Sequence, residues 1–273
     1  MRTLILFIGA LLSVQAGAVE LQGQLIQGGL IHGKVAPGSR VELGEHSVKV
    51  AENGVFVAGF DRDAPAAMTL RVCHDGDCAS QELAIAQREY AVQRVNGVPQ
   101  KTVTPPAEVL ARIRQESAMV GKARRRSEDR QDFLNTYQWP LIGPITGVFG
   151  SQRVYNGTPG RPHYGVDVAR PVGATVVAPN SGVVTLVHND MFYSGGTLII
   201  DHGQGISSTF IHLSKILVAP GQEVQTGQPI AEVGATGRAT GPHLDWRMNW
   251  HGQRLDPALL VGPMPSELAP VSE

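Results

Sequence analysis

Length, composition and charge limit the classes of protein to which this chain can belong. Its 273 residues are 42% hydrophobic, which is enough to bury the core of one large domain or two ordinary ones. The 23 Lys and Arg residues are balanced by 24 Asp and Glu residues, for a formal net charge of -1. A chain without an overall basic field is not expected to bind nucleic acid.

The first 18 residues have the features of an export signal. They contain Arg2, then an apolar run, then the small residues Ala16, Gly17 and Ala18. The run is shorter than the roughly 20 apolar residues that a membrane-spanning helix needs. We therefore predict a signal peptide over residues 1–18 and an exported mature protein.

Residues 19–95 are a series of short apolar runs separated by turn signals such as Asn53-Gly54, a pattern that predicts a small β-sandwich domain. The two cysteines of the chain, Cys73 and Cys78, flank the sequence HDGD, which suits a tight hairpin loop. An exported chain meets an oxidising compartment, so we predict a disulfide across this loop. A metal site that includes His74 is the alternative.

Residues 96–138 are interpreted as a helical connector. Two prolines in TVTPP precede a run in which Val109, Leu110 and Ile113 have helical spacing. A basic cluster follows, made up of Lys122, Arg124, Arg125 and Arg126. Acidic residues come directly after it, so we interpret the cluster as a solvated helix face, with binding to an acidic polymer as the alternative.

The next part of the chain, residues 139–262, is rich in glycine, valine and turn signals. Residues 173–187 and 218–234 both have the pattern of hairpins in an antiparallel sheet. Hairpins of this kind also occur in biotinyl carrier domains, but the tip here is Asn180-Ser181 and not lysine. We expect a second β domain over 139–262, a disordered tail over 263–273 and a mainly β fold.

Three histidines and two aspartates of this second domain form the candidate site: His163, Asp167, His212, His243 and Asp245. These residue types suit a metal centre with acid–base groups. In an extended chain the Cα atoms of His163 and Asp167 would be about 13 Å apart. We therefore predict a bend between them, which Gly165 permits.

The sequence HLDWRM alternates as a half-buried strand does. Its Leu, Trp and Met residues would face the core, and His243, Asp245 and Arg247 would share the opposite face. Asp245 has an alternative role as the salt-bridge partner of Arg247. His188 and His202 fall in expected turns and are interpreted as hydrogen-bonding surface residues.

These residues also carry a family resemblance. The stretches HYGVDVARPVGATVVAPNSGVV, LIIDHGQGISSTFIHLS and VQTGQPIAEVGATGRATGPHLDWRM resemble, in this order, the lysostaphin-type (LytM-like) zinc metallopeptidases that cleave peptidoglycan peptides. The match covers about residues 139–260, and the upstream part is similar to exported proteobacterial members. The resemblance implies an antiparallel β domain with a groove, one Zn2+ ion, peptidoglycan as the substrate and a periplasmic location.

The resemblance also implies roles for the site residues. His163 and Asp167 would be zinc ligands, while His212 and His243 would flank the attacking water as general base and oxyanion stabiliser. The third ligand of the family is a histidine where this chain has Asp245. Zinc accepts a carboxylate, but the additional negative charge is expected to make the attacking water less acidic.

Two functions follow as hypotheses. The first is a zinc-dependent endopeptidase that hydrolyses peptide bonds in peptidoglycan stems or cross-links during cell-wall remodelling. The alternative is a catalytically weak or inactive peptidoglycan-binding module that regulates another wall hydrolase, its partner. Tyr155 and Tyr193 lie in long segments that would line the substrate groove. Inhibition of the groove by the upstream region is a further hypothesis.

Overall fold

The computed structural model of the chain describes residues 19–95, 107–155 and 157–265. The predicted signal peptide and residues 266–273 of the predicted tail lie outside the described residues. Within the described ranges there are two α-helices, α1 (Leu110–Arg124) and α2 (Ala258–Val261), and neither is long and apolar enough to cross a bilayer. The fold is mainly β, as predicted.

The N-terminal strands form two antiparallel sheets. They are β1 (Leu21–Gly23), β2 (Leu30–Lys34), β3 (Arg40–Leu43), β4 (His46–Val48), β5 (Val55–Gly59), β6 (Ala67–His74) and β7 (Asp77–Ala84). The strand orders are β1-β2-β5 and β4-β3-β6-β7. Buried Phe56, Leu43 and Leu70 contribute to their core. That these strands make a sandwich domain ending at residue 95 stays a prediction.

The predicted disulfide is present between β6 and β7. Cys73 lies directly opposite Cys78 in the register of the two strands, and their sulfurs are bonded. The hairpin turns at Asp75 and Gly76, which have φ angles of 49° and 93°. A two-residue turn with positive φ at both positions favours Asp-Gly, which explains the local sequence. The alternative metal site is therefore wrong.

The remaining strands belong mostly to one large sheet. They are β8 (Val92–Val95), β9 (Ile145–Gly147), β10 (Gln152–Tyr155), β11 (Thr158–Pro159), β12 (Val166–Ala169), β13 (Thr175–Val177), β14 (Gly182–Met191), β15 (Gly195–Gly203), β16 (Ile206–Leu213), β17 (Lys215–Ile216), β18 (Glu223–Val224), β19 (Pro229–Glu232), β20 (His243–Trp250) and β21 (Gln253–Leu255). The large sheet has the order β18-β14-β15-β16-β20-β12-β9, with β21 paired to β20. Leu244, Trp246 and Met248 of β20 are fully buried, so the predicted alternation is confirmed.

The predicted hairpins within residues 173–187 and 218–234 are wrong in their pairing. Strand β13 pairs with β19, and β14 pairs with β18, so the two segments pair with each other. The chain leaves the small sheet β13-β19-β17 at Asn180, whose buried amide donates to the carbonyl oxygen of Asp132 at 2.8 Å. This long-range bond turns β14 away from β13.

Helix α1 packs on β14 and β15. The buried Glu116 of this helix accepts a hydrogen bond from Nε of Arg112 at 2.6 Å and another from the backbone N–H of Phe192 at 2.9 Å. At the helix end, Nη2 of Arg124 donates to Oγ1 of Thr209 at 3.1 Å. The interpretation of the basic cluster as a solvated face is therefore wrong for Arg124.

The N-terminal strands pack directly against the large sheet. A Cβ atom on Gly59 of β5 would lie 2.5 Å from Cδ2 of Leu255 and 3.1 Å from Cβ of Trp250, so a larger residue here would require Leu255 to shift. Phe56 and Leu255 belong to the same buried cluster. In addition, β8 pairs in parallel with β10. The two regions therefore share one hydrophobic core.

Candidate metal and catalytic site

Two neighbouring strands and the loop before them bring the candidate ligands together. Asp167 of β12 lies directly opposite Asp245 of β20 in the antiparallel register, so the two carboxylates share one face of the sheet. His163 precedes β12, and its backbone N–H donates to the carbonyl oxygen of Ser151 at 2.7 Å. The chain bends at Gly165 before the strand begins, as predicted.

Two glycines make room for the carboxylates. A Cβ atom on Gly147 would lie 2.2 Å from Oδ2 of Asp167, and one on Gly165 would lie 2.5 Å from Oδ1 of Asp245. Side chains essentially never approach this closely, so both positions exclude any larger residue without a shift of the carboxylate. Position 165 therefore needs glycine for the close approach of the Asp245 carboxylate as well as for the bend.

The ligand atoms of His163, Asp167 and Asp245 all lie within 4.8 Å of one another. Nδ1 of His163 is 3.1 Å from the carbonyl oxygen of Val148, which only accepts, so Nδ1 carries the proton of a neutral ring. Nε2 then directs a lone pair at Oδ1 of Asp167, 3.0 Å away, and at Oδ2 of Asp245, 3.3 Å away.

This arrangement fits a bound cation. Oδ1 of Asp167 is shielded from solvent and accepts no hydrogen bond from the described residues. Three facing acceptors repel one another unless a proton or a metal ion lies between them. Donor atoms around tetrahedral zinc are about 3.3 Å apart, given bond lengths of about 2.0–2.1 Å. The two separations from Nε2 of His163, 3.0 Å and 3.3 Å, are close to this value.

Arg247 makes the salt bridge with Asp245 that the sequence offered as an alternative. Its Nε donates to Oδ1 of Asp245 at 2.9 Å, and its Nη2 donates to Oδ2 at 2.6 Å. Each carboxylate oxygen has two lone pairs, so this paired contact leaves Oδ2 able to face His163 as well. The salt bridge and the proposed ligand role are therefore compatible.

Charges within the site set its protonation. When a proton and not a metal ion lies between these groups, Nε2 of His163 carries it: burial opposes this protonation, but the carboxylates of Asp167 and Asp245 outweigh burial and raise the pKa of His163 to about 10. A metal ion would replace that proton and leave the ring neutral. Burial also disfavours ionisation of Asp245, but the guanidinium of Arg247 prevails and holds the pKa of Asp245 well below its usual range. Asp245 is therefore an anion at every physiological pH.

The other two candidate histidines stand beside this cluster. The rings of His212 and His243 have centroids 4.8 Å apart, and Nε2 of His243 is 3.9 Å from Oδ1 of Asp167. Nδ1 of His212 donates to the carbonyl oxygen of Thr236, and Nδ1 of His243 donates to that of Gly241, each at 2.8 Å. In the neutral tautomer that these bonds favour, the unprotonated nitrogen of each ring is Nε2.

His212 has two further marks of a functional residue. Its φ angle of 66° is in the left-handed region, which a residue with a side chain rarely adopts and which costs about 1–3 kcal/mol. Its backbone N–H donates to the carbonyl oxygen of Ser194 at 2.8 Å, a contact that holds this conformation. Burial lowers the pKa of His212, which favours a neutral ring that can accept a proton.

The two tyrosines predicted to line the groove are Tyr193 and Tyr155, and the structure describes the side chain of Tyr193. Tyr193 is adjacent to Ser194, and the guanidinium of Arg238 lies 4.5 Å from the centre of its ring. The side chain of Tyr155, at the end of β10, lies outside the described part of the chain. Their contact with substrate stays a prediction.

Sequence reasoning missed several parts of the site. The carbonyl groups of Val148 and Thr236 orient His163 and His212. The residue types at positions 148 and 236 do not indicate this role. The residue type of Gly147 did give a signal, because a glycine in a strand often marks the close approach of another group. The interpretation of His202 as a surface residue is wrong, since it is fully buried in β15.

Comparison with known proteins identifies the family. The sequence pattern of peptidase family M23 matches residues 161–257. A crystal structure of a peptidase M23 from Pseudomonas aeruginosa is 31% identical, with a TM-score of 0.69 over 88% of this chain and 96% of that chain. The chain belongs to peptidase family M23, as the resemblance predicted.

Two curated relatives show what similar proteins do. The chain is 40% identical to the peptidoglycan DD-endopeptidase ShyA of Vibrio cholerae, over 39% of this chain and 25% of ShyA. It is 29% identical to the murein hydrolase activator NlpD of Escherichia coli, over 45% of this chain and 31% of NlpD. The chain spans about a quarter of the length of the first curated relatives that it matches.

Proposed function

We propose that this protein is a periplasmic, zinc-dependent endopeptidase that hydrolyses peptide bonds in the stems or cross-links of peptidoglycan. The observation that carries the proposal is the convergence of His163, Asp167 and Asp245, with two histidines beside them whose Nδ1 atoms are bonded to backbone carbonyl groups. Similarity to ShyA, a peptidoglycan DD-endopeptidase, supports the substrate class.

The three converging residues would hold one zinc ion through Nε2 of His163 and one oxygen of each carboxylate. A zinc ion supplies Lewis acidity, which polarises the scissile carbonyl and acidifies the attacking water. The chain orients these ligands in advance, because Val148 fixes the ring of His163 and Arg247 fixes the carboxylate of Asp245.

Arg247 offsets the charge that the aspartate adds. The family ligand at position 245 is a neutral histidine, whereas Asp245 brings a negative charge. Asp245 and Arg247 together are neutral, so the ligand set with its arginine has the charge of the usual His, His and Asp set. The acidity of the water is therefore expected to change less than the sequence suggested.

His212 and His243 would move the protons. The unprotonated Nε2 of one ring accepts a proton from the attacking water and later delivers a proton to the leaving amine. The other ring, when protonated, donates a hydrogen bond to the developing oxyanion. The backbone acceptors Thr236 and Gly241 hold both rings in the required orientation.

A second function is favoured by the contact of Arg247 with both oxygens of Asp245. If the arginine prevents Asp245 from binding zinc, the groove would bind peptidoglycan and regulate another wall hydrolase. The similarity to NlpD, a murein hydrolase activator, supports this alternative.

Chromatography of peptidoglycan fragments tests the proposal. The mature protein is incubated with peptidoglycan after loading with zinc or treatment with a chelator. We expect zinc-dependent loss of cross-linked fragments, a loss of at least about 100-fold in rate for His212→Ala, and no loss for the exposed hairpin control His74→Ala. Fragments that stay intact while zinc is bound would favour the regulatory function.

A further inference from the structure

A second cluster of charged residues adjoins the metal centre on the same face of the sheet. Arg247 follows Asp245 by two residues on β20, about 7 Å along the strand. Its cross-strand neighbour on β16 is Thr209, which accepts the hydrogen bond from Nη2 of Arg124. Helix α1 therefore places a second guanidinium group beside Arg247.

A third guanidinium group comes from β21. Asn249 is the next residue of β20 on this face, and its Oδ1 accepts a hydrogen bond from Nη1 of Arg254 at 2.7 Å. The guanidinium of Arg254 also lies 5.1 Å from the centre of the Tyr164 ring. Arg254 and Tyr164 are both only partly buried, so solvent reaches the Arg254 side of the cluster.

The positive charge of this cluster is incompletely balanced among the described residues. Arg247 is bonded to a carboxylate, but the side-chain hydrogen bonds of Arg124 and Arg254 go to the neutral oxygens of Thr209 and Asn249. The carboxylate of Asp61 is also near Arg254, but it accepts from the backbone N–H of Arg254 at 3.0 Å and not from its guanidinium. Burial, followed by the charges of Arg254 and Arg247, lowers the pKa of Arg124 well below its ordinary value. A nearby anion would relieve this repulsion.

Two buried hydrogen-bond donors of the cluster also have no acceptor. Nε of Arg124 and Nδ2 of Asn249 are shielded from solvent and have no hydrogen-bond partner among the described residues. A buried donor without an acceptor costs about 1–3 kcal/mol. A bound molecule that supplies acceptor oxygens would remove this cost at both atoms.

We propose that Arg124, Arg254 and Asn249 form a subsite for a carboxylate of the substrate, which is therefore an acidic peptide. The proposal rests on the proposed function. A carboxylate matches the guanidinium donors in shape and charge. The cluster lies about two to four residues of extended peptide from the metal centre.

The test uses one cross-linked peptidoglycan peptide with free carboxylates and the same peptide with those carboxylates amidated. Binding of each to the full mature chain is measured by calorimetry in chelator, and hydrolysis of each is measured with zinc. We expect about tenfold tighter binding and a tenfold lower KM for the free acid, with a similar kcat. Arg254→Gln should abolish this preference, Arg254→Lys should restore part of it, and Arg114→Gln, on the exposed face of α1, should leave it unchanged.

The outcomes separate this inference from the proposed function. Preferential binding of the free acid without hydrolysis would support the subsite and contradict the endopeptidase. Hydrolysis of both peptides with equal KM would support the endopeptidase and overturn the subsite, since ordered water would then satisfy the two donors. The comparison of the two peptides on the unaltered protein holds even if an arginine variant does not fold.

Discussion

At the residue scale, Asp245 and Arg247 act as one unit. Histidine is neutral when it binds a metal, and a carboxylate at the same place needs a cation nearby to reach the same charge. Arg247 supplies that cation two residues further along the strand, on the same face. The pair explains how an aspartate can stand where the family has a histidine.

Arg247→Met tests this unit. The variant keeps most of the side-chain length but leaves Asp245, whose side chain is only 3% exposed, as a buried carboxylate without its arginine. We expect a loss of about 3 kcal/mol in the free energy of unfolding in chelator, measured with urea. Zinc should reduce that loss to below about 1 kcal/mol, because the metal replaces the missing positive charge.

Arg114→Met, on the exposed face of α1, is the matched control and should change neither measurement. If Arg247→Met lowers the free energy of unfolding by the same amount with and without zinc, the arginine contributes to folding alone. In that case Asp245 would not be a ligand, and the regulatory function would gain support.

Gly147→Ala tests the geometry of the other carboxylate. The added Cβ would overlap Oδ2 of Asp167, so the carboxylate must move away from His163. We expect zinc affinity, measured by competition with a chromogenic chelator, to fall at least tenfold, as for other changes that misplace ligands. Gly252→Ala is the control, since nothing lies within 4 Å of a Cβ there. Equal zinc affinity in the two variants would remove Asp167 from the ligand set.

At the element scale, the hairpin of β15 and β16 contains a buried histidine that connects both strands to the residue before β14. Nδ1 of His202 donates to the carbonyl oxygen of Ser181 at 2.6 Å, and its Nε2 accepts from Oγ of Ser208 at 2.8 Å. Burial lowers the pKa of His202 to about 4. The ring is therefore neutral in the folded protein at neutral pH.

The stability of the hairpin should consequently depend on pH. Below about pH 6.5 the unfolded chain binds a proton at His202, whereas the folded chain does so only near pH 4. At this histidine the unfolded state binds more protons in this interval, so His202 by itself lowers the free energy of unfolding by about 3 kcal/mol as the pH is lowered from 7 to 4. Asp201, whose pKa burial raises to about 6, acts in the opposite direction.

Urea unfolding of His202→Gln at pH 7 and pH 4 separates the contribution of His202 from that of Asp201. The variant should be less stable than the original at pH 7, and the difference between them should shrink by about 3 kcal/mol at pH 4. His74→Gln, on the exposed hairpin, controls for loss of any histidine. A constant difference at both pH values would show that burial does not keep His202 neutral.

At the scale of the whole molecule, the shared core argues against a detachable inhibitory region. Deletion of residues 19–95 would uncover the apolar surface around Leu255 and Trp250 that Gly59 approaches, and would remove the partner strand of β10. We expect the melting temperature to fall by more than about 5 °C and zinc-dependent hydrolysis to decrease. Addition of residues 19–95 as a separate chain should restore part of the melting temperature and part of the hydrolysis rate. A faster and equally stable truncated protein would establish inhibition.

Some features of this protein followed from local sequence. Alternation in HLDWRM predicted which residues of β20 face the core, and the Asp-Gly turn between two cysteines predicted the hairpin and its disulfide. The family resemblance named the five residues that the structure brings together. The alternation and the hairpin depend on backbone periodicity and turn geometry, which neighbouring residues determine, whereas the site residues came from the family resemblance.

Other features were decided only by contacts between distant parts of the chain. The pairing of β13 with β19, the burial of His202 and the inward turn of Arg124 all depend on which sheet or helix packs against each residue. The same holds for Asp245, since sequence alone offered either a ligand or a salt bridge. The tertiary structure allows both, because β12 places His163 and Asp167 on one side of a carboxylate that Arg247 holds from the other.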